Sequence, residues 1–173
     1  MAKPTLYLML GYPGAGKTAT SRVIAKLTGA VHLWADHERR HRFTKPTHSH
    51  EENLELYDVL NQKTAEYLSE GKSVIFDTSF NFYKDREILR DIAKTAHADC
   101  VLVWVTTPKD IAKEHATHES HRDKNGYIEN MSEADFERLS SSLELPQSTE
   151  EYVEIDGTKI SDEYIATQLG LST

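Results

Sequence analysis

The chain has 173 residues, of which 38% are apolar and 28% charged, and it carries a net charge of −8 with histidines neutral. That fits one domain around one core. It excludes a membrane span, because no apolar run approaches the ~18 residues needed. One cysteine, Cys100, excludes an internal disulfide, the start of the chain is too short in apolar residues for a signal-peptide core, and the acidic balance disfavours a long nucleic acid as partner. The expectation is a soluble cytoplasmic protein.

The elements alternate. Thr5 to Leu10 (TLYLML) has no charge and reads as a strand covered on both faces. Gly16 to Leu27 has helical spacing, with Gly29 closing it. Val31 to Ala35 is a second strand. Asn53 to Leu68 repeats apolar residues as an amphipathic helix does. Ser73 to Asp77 is a third strand, and Tyr83 to Ala96 a helix. Cys100 to Val105 (CVLVWV) is the most apolar strand and is expected at the centre, with Cys100 as a small buried hydrophobe. Pro108 to about Glu119 is helical. Ser132 caps a helix running to about Leu143. Tyr152 to Ile155 is the last strand, and a helix lies between Ser161 and Gly170. Strands alternating with helices predict βαβ units and a parallel sheet with helices on both faces. Ligands of such sheets bind beyond the carboxyl ends of the strands.

At the first such end stands Gly11-Tyr12-Pro13-Gly14-Ala15-Gly16-Lys17-Thr18, which fits G-x-x-x-x-G-K-[ST] between a strand and a helix. The glycines let backbone N–H groups wrap a phosphate. Gly16 and Lys17 open the helix, so its positive end, with Ala19 in the same turn, faces the anion. Lys17 supplies a cation to the β and γ phosphates, and Thr18 a hydroxyl to Mg²⁺. The chain is short for a motor ATPase with a second domain, and no Asn-Lys-x-Asp guanine-reading motif occurs.

The second strand ends at Asp36, where a carboxylate orients an acceptor hydroxyl and takes its proton, or else caps a helix. Arg39 follows one turn later, on the side suited to an anionic substrate group. The third strand ends at Asp77, an acid placed to hold Mg²⁺, Arg39 or the acceptor, or to cap a loop. Thr78, Ser79 and Asn81 are weaker candidates, and Arg86 is as readily a solvated helix charge.

These three motifs together resemble the polynucleotide-kinase-like branch of P-loop kinases, which looks related to chloramphenicol phosphotransferase, gluconate kinase and the zeta toxins. The likeness runs from about Pro4 to Asp156. It implies a three-layer α/β/α P-loop NTPase fold with five parallel strands in the order 2-3-1-4-5. It also implies one kinase-like domain over 1–173, with a helical lid at about 109–130. By the same resemblance Asp36 is the general base, Arg39 positions the acceptor, and Asp77 lines its pocket. Arg122 is the lid arginine over the γ-phosphate, where the family often has two or three. The turn Asp156-Gly157 packs against adenine, or is an ordinary turn. His115, His118 and His121 fall at three-residue spacing; a solvated face is expected there rather than zinc.

The function expected is an ATP- and Mg²⁺-dependent kinase acting on a hydroxyl of a small molecule, a nucleoside or a polynucleotide 5′-end. The alternative is an ATP-binding regulatory module or ATPase that phosphorylates no acceptor. Oligomeric state is left open.

Overall fold

Strand β1 (Thr5–Leu10) sets the layering. Successive side chains of a strand point to opposite faces. Leu6, Leu8 and Leu10 enter one apolar cluster, and Tyr7 and Met9 the other. With both faces covered, TLYLML has no polar side to show. The computed structural model describes residues 2–78, 82–118 and 131–172.

After β1 come α1 (Lys17–Thr28), β2 (Val31–Trp34), α2 (Ala35–Arg42), α3 (His50–Ser69), β3 (Val74–Asp77) and α4 (Tyr83–Thr95). Then follow β4 (Asp99–Val105), α5 (Lys109–Thr117), α6 (Glu133–Ser142), β5 (Val153–Ile155) and α7 (Asp162–Leu169). The five strands lie in the order β2-β3-β1-β4-β5, and every pairing is parallel. Leu56, Leu60 and Leu68 of α3 and Leu89 of α4 cover the Leu6 face. Ile24 of α1, Ala112 of α5, Phe136 of α6 and Ile165 of α7 cover the Met9 face. The result is the expected three-layer α/β/α fold with its expected strand order.

Three expectations change in detail. The centre of the sheet is β1, not the more apolar β4. Apolar content reports how well the faces are covered, not how many strands flank. β4 pairs with β5 only over Val103 to Val105, and Cys100, Val101 and Trp104 stay partly exposed. α3 begins at His50, ahead of its apolar repeat, because Ser49 accepts a hydrogen bond from the Glu52 N–H. Leu54, counted in that repeat, is 59% exposed. Arg86 is no solvated charge: it is 1% exposed and ion-paired with Glu150 at 2.8 Å. Among the described residues no helix is long and apolar enough to cross a membrane.

Candidate active site

The loop between β1 and α1 curls through two left-handed glycines, Gly14 (φ 80°) and Gly16 (φ 106°), a conformation that side chains resist. Its outer side is tightly held. A Cβ on Gly14 would lie 2.2 Å from the Ala112 carbonyl of α5, and one on Gly157 would lie 2.2 Å from the Ala15 carbonyl. Thr107, just beyond β4, donates to that Ala15 carbonyl at 2.6 Å. His115 of α5 donates through Nδ1 to the Gly14 carbonyl at 3.2 Å. Gly11 and Ala15 are buried, while Tyr12, Gly14 and Gly16 are partly open.

α1 starts differently from its neighbours. Ser49, Ser132 and Ser161 cap α3, α6 and α7, and α2, α4 and α5, uncapped by a side chain, carry an acid in the first turn; α1 has neither a side-chain cap nor a first-turn acid. The α1 ladder begins with Thr20 N–H to Gly16 O at 2.9 Å, so the N–H groups of Lys17, Thr18 and Ala19 lie ahead of it. A helix start left without its own acid or cap is where an anion binds.

Lys17 is buried and donates to the Gly11 and Tyr12 carbonyls at 2.9 and 2.8 Å, folded onto its own loop. Burial lowers its pKa to about 8, against the pull of Asp77 and Asp36 in the other direction. Thr18 donates from Oγ1 to Asp77 Oδ2 at 2.9 Å, and His32 Nε2 donates to the same oxygen at 2.9 Å. Asp77 thus joins α1 to β2. A hydroxyl and a carboxylate at this separation are hard oxygen donors, a set that fits Mg²⁺ shared with substrate phosphates. Asp36 stands in the first turn of α2, whose N-cap is Trp34. The residue is exposed, yet protein crowds the carboxyl. Desolvation raises its pKa, and the Asp77 charge adds to this; Arg39, His48 and Lys17 oppose the rise. Lys17, Asp36, Asp77 and Thr18 therefore share one end of the sheet.

Arg39 is placed differently from a residue awaiting an anion. Its Nη1 donates to Glu52 and its Nη2 to Asn53 at 2.7 Å, while Nε finds no partner among the described residues. Desolvation pushes Glu52 up, but bonds from Thr47 N–H, Arg39, the Thr47 hydroxyl and His48 N–H hold it down to about 2. Thr78 hydrogen-bonds the Tyr57 hydroxyl of α3. Asp156 folds into a turn, accepting from the Thr158 N–H at 2.9 Å, and brings Gly157 onto the loop. His118 is exposed, beside Glu114 at 3.4 Å. Arg122, Ser79, Asn81 and His121 lie outside the described residues.

Sequence reasoning missed His32, Tyr57, Glu52 and Thr107. His32 left one signal: a polar residue within an apolar strand, two positions before its end and so on the face of Trp34. Trp34 is the register partner of Asp77. The others meet their partners 21, 13 and 92 residues away in the chain, for Tyr57, Glu52 and Thr107, and no local pattern marks them.

The family model described as an AAA domain matches residues 6–146, and the chain belongs to that family. No curated protein matches it. Among solved structures, a candidate kinase from Chloroflexus aurantiacus is similar over 98% of both chains, at 19% identity and a TM-score of 0.74. The Mycobacterium tuberculosis APS kinase CysC, in complex with AMPPNP and APS, is similar over 98% of both chains, at 16% identity and a TM-score of 0.69. A gluconokinase from Sinorhizobium meliloti is similar over 98% of this chain and 92% of its own, at 16% identity and a TM-score of 0.70. The fold is that of P-loop kinases.

Proposed function

We propose that this chain is an ATP-dependent phosphotransferase that moves the γ-phosphoryl group to a hydroxyl of a small acceptor. One observation carries the reading. A carboxyl of raised pKa, Asp36, stands within electrostatic reach of Lys17 and Asp77, beside an uncapped helix start. A general base works best when its pKa is brought toward the working pH, and this environment does so.

Loop amides and the N–H groups of Lys17, Thr18 and Ala19 grip the triphosphate. Lys17 leaves its own carbonyls for the phosphates. Thr18 and Asp77 would hold Mg²⁺, which would supply charge neutralisation at the phosphates. Asp36 accepts the proton of the acceptor hydroxyl as that oxygen bonds to the γ-phosphorus. The bond from phosphorus to the bridging oxygen breaks, and ADP leaves with the electron pair. His32 orients Asp77, Arg39 ties α2 to α3 through Glu52 and Asn53, and the γ-phosphate charge is assigned to Arg122. Asp156 and Gly157 support the loop beside the base. The matched family, the kinase fold of the neighbours and the nucleotide analogue bound by one of them support this assignment.

The test is ADP formation with and without a panel of hydroxyl acceptors, with products identified by mass spectrometry. Acceptor-stimulated turnover should fall by about 10²–10⁴ in Asp36→Asn, as loss of a general base requires. Slow hydrolysis indifferent to every acceptor and to Asp36→Asn would sink the transfer reading and leave a nucleotide-binding module.

A further inference from the structure

One motif of the chain is left over by the phosphate and acceptor sites. His37-Glu38-Arg39-Arg40-His41 reads H-E-x-x-H, and all five residues lie on one helix, α2. Residues four apart on a helix stand one above the other on the same face, so two histidines at this spacing can chelate one ion. The spacing holds in three dimensions: the His37 and His41 ring centroids lie 4.1 Å apart. A metal–nitrogen bond to histidine is about 2.0–2.1 Å, so two donors of one ion stand no more than about 4 Å apart. Side-chain rotation therefore brings both rings to a shared ion, with the backbone of α2 in place.

Both rings are supported as ligands are. His41 Nδ1 donates to the His37 carbonyl at 3.1 Å, which leaves the lone pair of the neutral ring on Nε2. Trp34 stacks against His37, with ring planes 11° apart, and backs that ring. His41 is exposed and His37 half-buried. The motif's catalytic use is absent. There the glutamate is the general base and a third protein ligand completes the site. Here Glu38 pairs with Lys63 at 2.9 Å, and no group of three or more metal-binding side chains occurs among the described residues. Two protein donors leave the other positions to water, so an ion is held exchangeably. The last turn of α2 carries Arg40 and Arg42, which repel a hard dication bound by charge alone and select one that imidazole binds well. Other histidines are placed differently: His32 is bonded to Asp77, His115 to the Gly14 carbonyl, and His118 to the Thr117 hydroxyl.

We propose that His37 and His41 form an exchangeable site for one divalent transition ion of the Zn²⁺, Ni²⁺ or Cu²⁺ class. It is separate from the oxygen donors Thr18 and Asp77, whose chemistry suits Mg²⁺. An ion there staples α2 across the turn that follows Asp36 and contains Arg39. The site does not depend on the transfer reading.

The experiment is a calorimetric titration of the full chain, free of any histidine tag, with Zn²⁺, Ni²⁺ and Cu²⁺ in turn. One equivalent should bind even with Mg²⁺ in excess, because the two kinds of ion take different donors. His37→Asn and His41→Asn should each weaken binding at least about tenfold, since losing a ligand costs no less than losing its outer support. His118→Asn should leave it unchanged. Circular dichroism reports whether the variants fold. A second readout needs no variant: Zn²⁺ should protect His37 and His41, but not His118, from carbethoxylation mapped by mass spectrometry. Unchanged affinity in both α2 variants, or protection that misses His37 and His41, would overturn the site. Displacement of the ion by Mg²⁺ would overturn it too and move the binding to Thr18 and Asp77. Absence of heat with all three ions would leave the histidine pair without a metal and end the proposal.

Discussion

Lys17 illustrates how one side chain sets a pH limit. Burial lowers its pKa to about 8, while Asp77 and Asp36 pull it upward. The triphosphate selects the ammonium form. Below that pKa the cation is present and its ionisation leaves affinity independent of pH; above it, each pH unit weakens binding about tenfold until the pKa of the bound state is reached. Calorimetry at pH 9 in buffers of different ionisation enthalpy should therefore show uptake of about one proton on nucleotide binding. Lys17→Met should abolish that uptake and weaken binding roughly 10- to 100-fold, as loss of a charge-assisted contact does. An uptake that survives in Lys17→Met would assign the proton to another group. For stability the sign is opposite. A cation whose folded pKa is depressed opposes folding while charged, so Lys17 penalises the fold less as pH rises from about 8 toward 10.5.

At the scale of elements, the site depends on contacts that join distant stretches of chain. The turn at 156–158 rests on the phosphate loop, and a Cβ on Gly157 would come within 1.9 Å of Thr107 Oγ1. Gly157→Ala must displace either Thr107 or the loop, a cost of about 1–3 kcal/mol. Nucleotide affinity should fall with it, because Thr107 holds the Ala15 carbonyl. Titration of the variant with ATP checks this, and wild-type affinity would show that the turn does not shape the loop. The second joint is Glu150, which binds Arg86 at 2.8 Å and Arg90 at 2.6 Å, linking the 144–150 segment to α4. Desolvation pushes Glu150 up, but bonds from Arg86, Gln147 N–H and Arg90 hold it down to about 2. Stability from this joint is complete above about 4.5, the ordinary carboxyl value, and is lost as pH falls from there toward 2. Glu150→Gln removes the carboxylate that Arg86 and Arg90 share and should cost about 3 kcal/mol at neutral pH. It should also flatten the acid limb of a denaturation curve measured between pH 5 and about 2. None of this was legible in the sequence. Strand and helix periods repeat within a few residues, so TLYLML, the loop and the two strand-end acids announce themselves. Arg86 and Glu150 lie 64 residues apart, and only the fold makes them partners.

For the whole molecule the question is how a chain of net charge −8 binds a tetra-anion. Attraction comes from local placement, not from the average. α1 presents its positive end, Lys17 adds a charge, and the helix start carries no acid of its own. The phosphate side was legible because its machinery is consecutive in sequence. The acceptor side was legible only in outline: Asp36 and Asp77 stand where the strands end, but Arg39 turned out to be clasped by Glu52, an acid in the helix after next to β2 that no spacing rule ties to it. Binding to the native state alone raises stability by about 2.7 kcal/mol at a ligand concentration one hundred times its dissociation constant. In a domain of this size each kcal/mol is worth about 2–4 °C. Saturating Mg·ATP should therefore raise the melting temperature by about 5–10 °C. The same concentration of ATP without Mg²⁺ should raise it less, because Thr18 and Asp77 then lack the ion that joins them to the phosphates. In Thr18→Ala the two shifts should converge, since the hydroxyl is gone and Asp77 alone holds the metal. A scan showing equal shifts with and without Mg²⁺ in the unsubstituted chain would remove Thr18 and Asp77 as the metal-holding pair while leaving the phosphate loop in place.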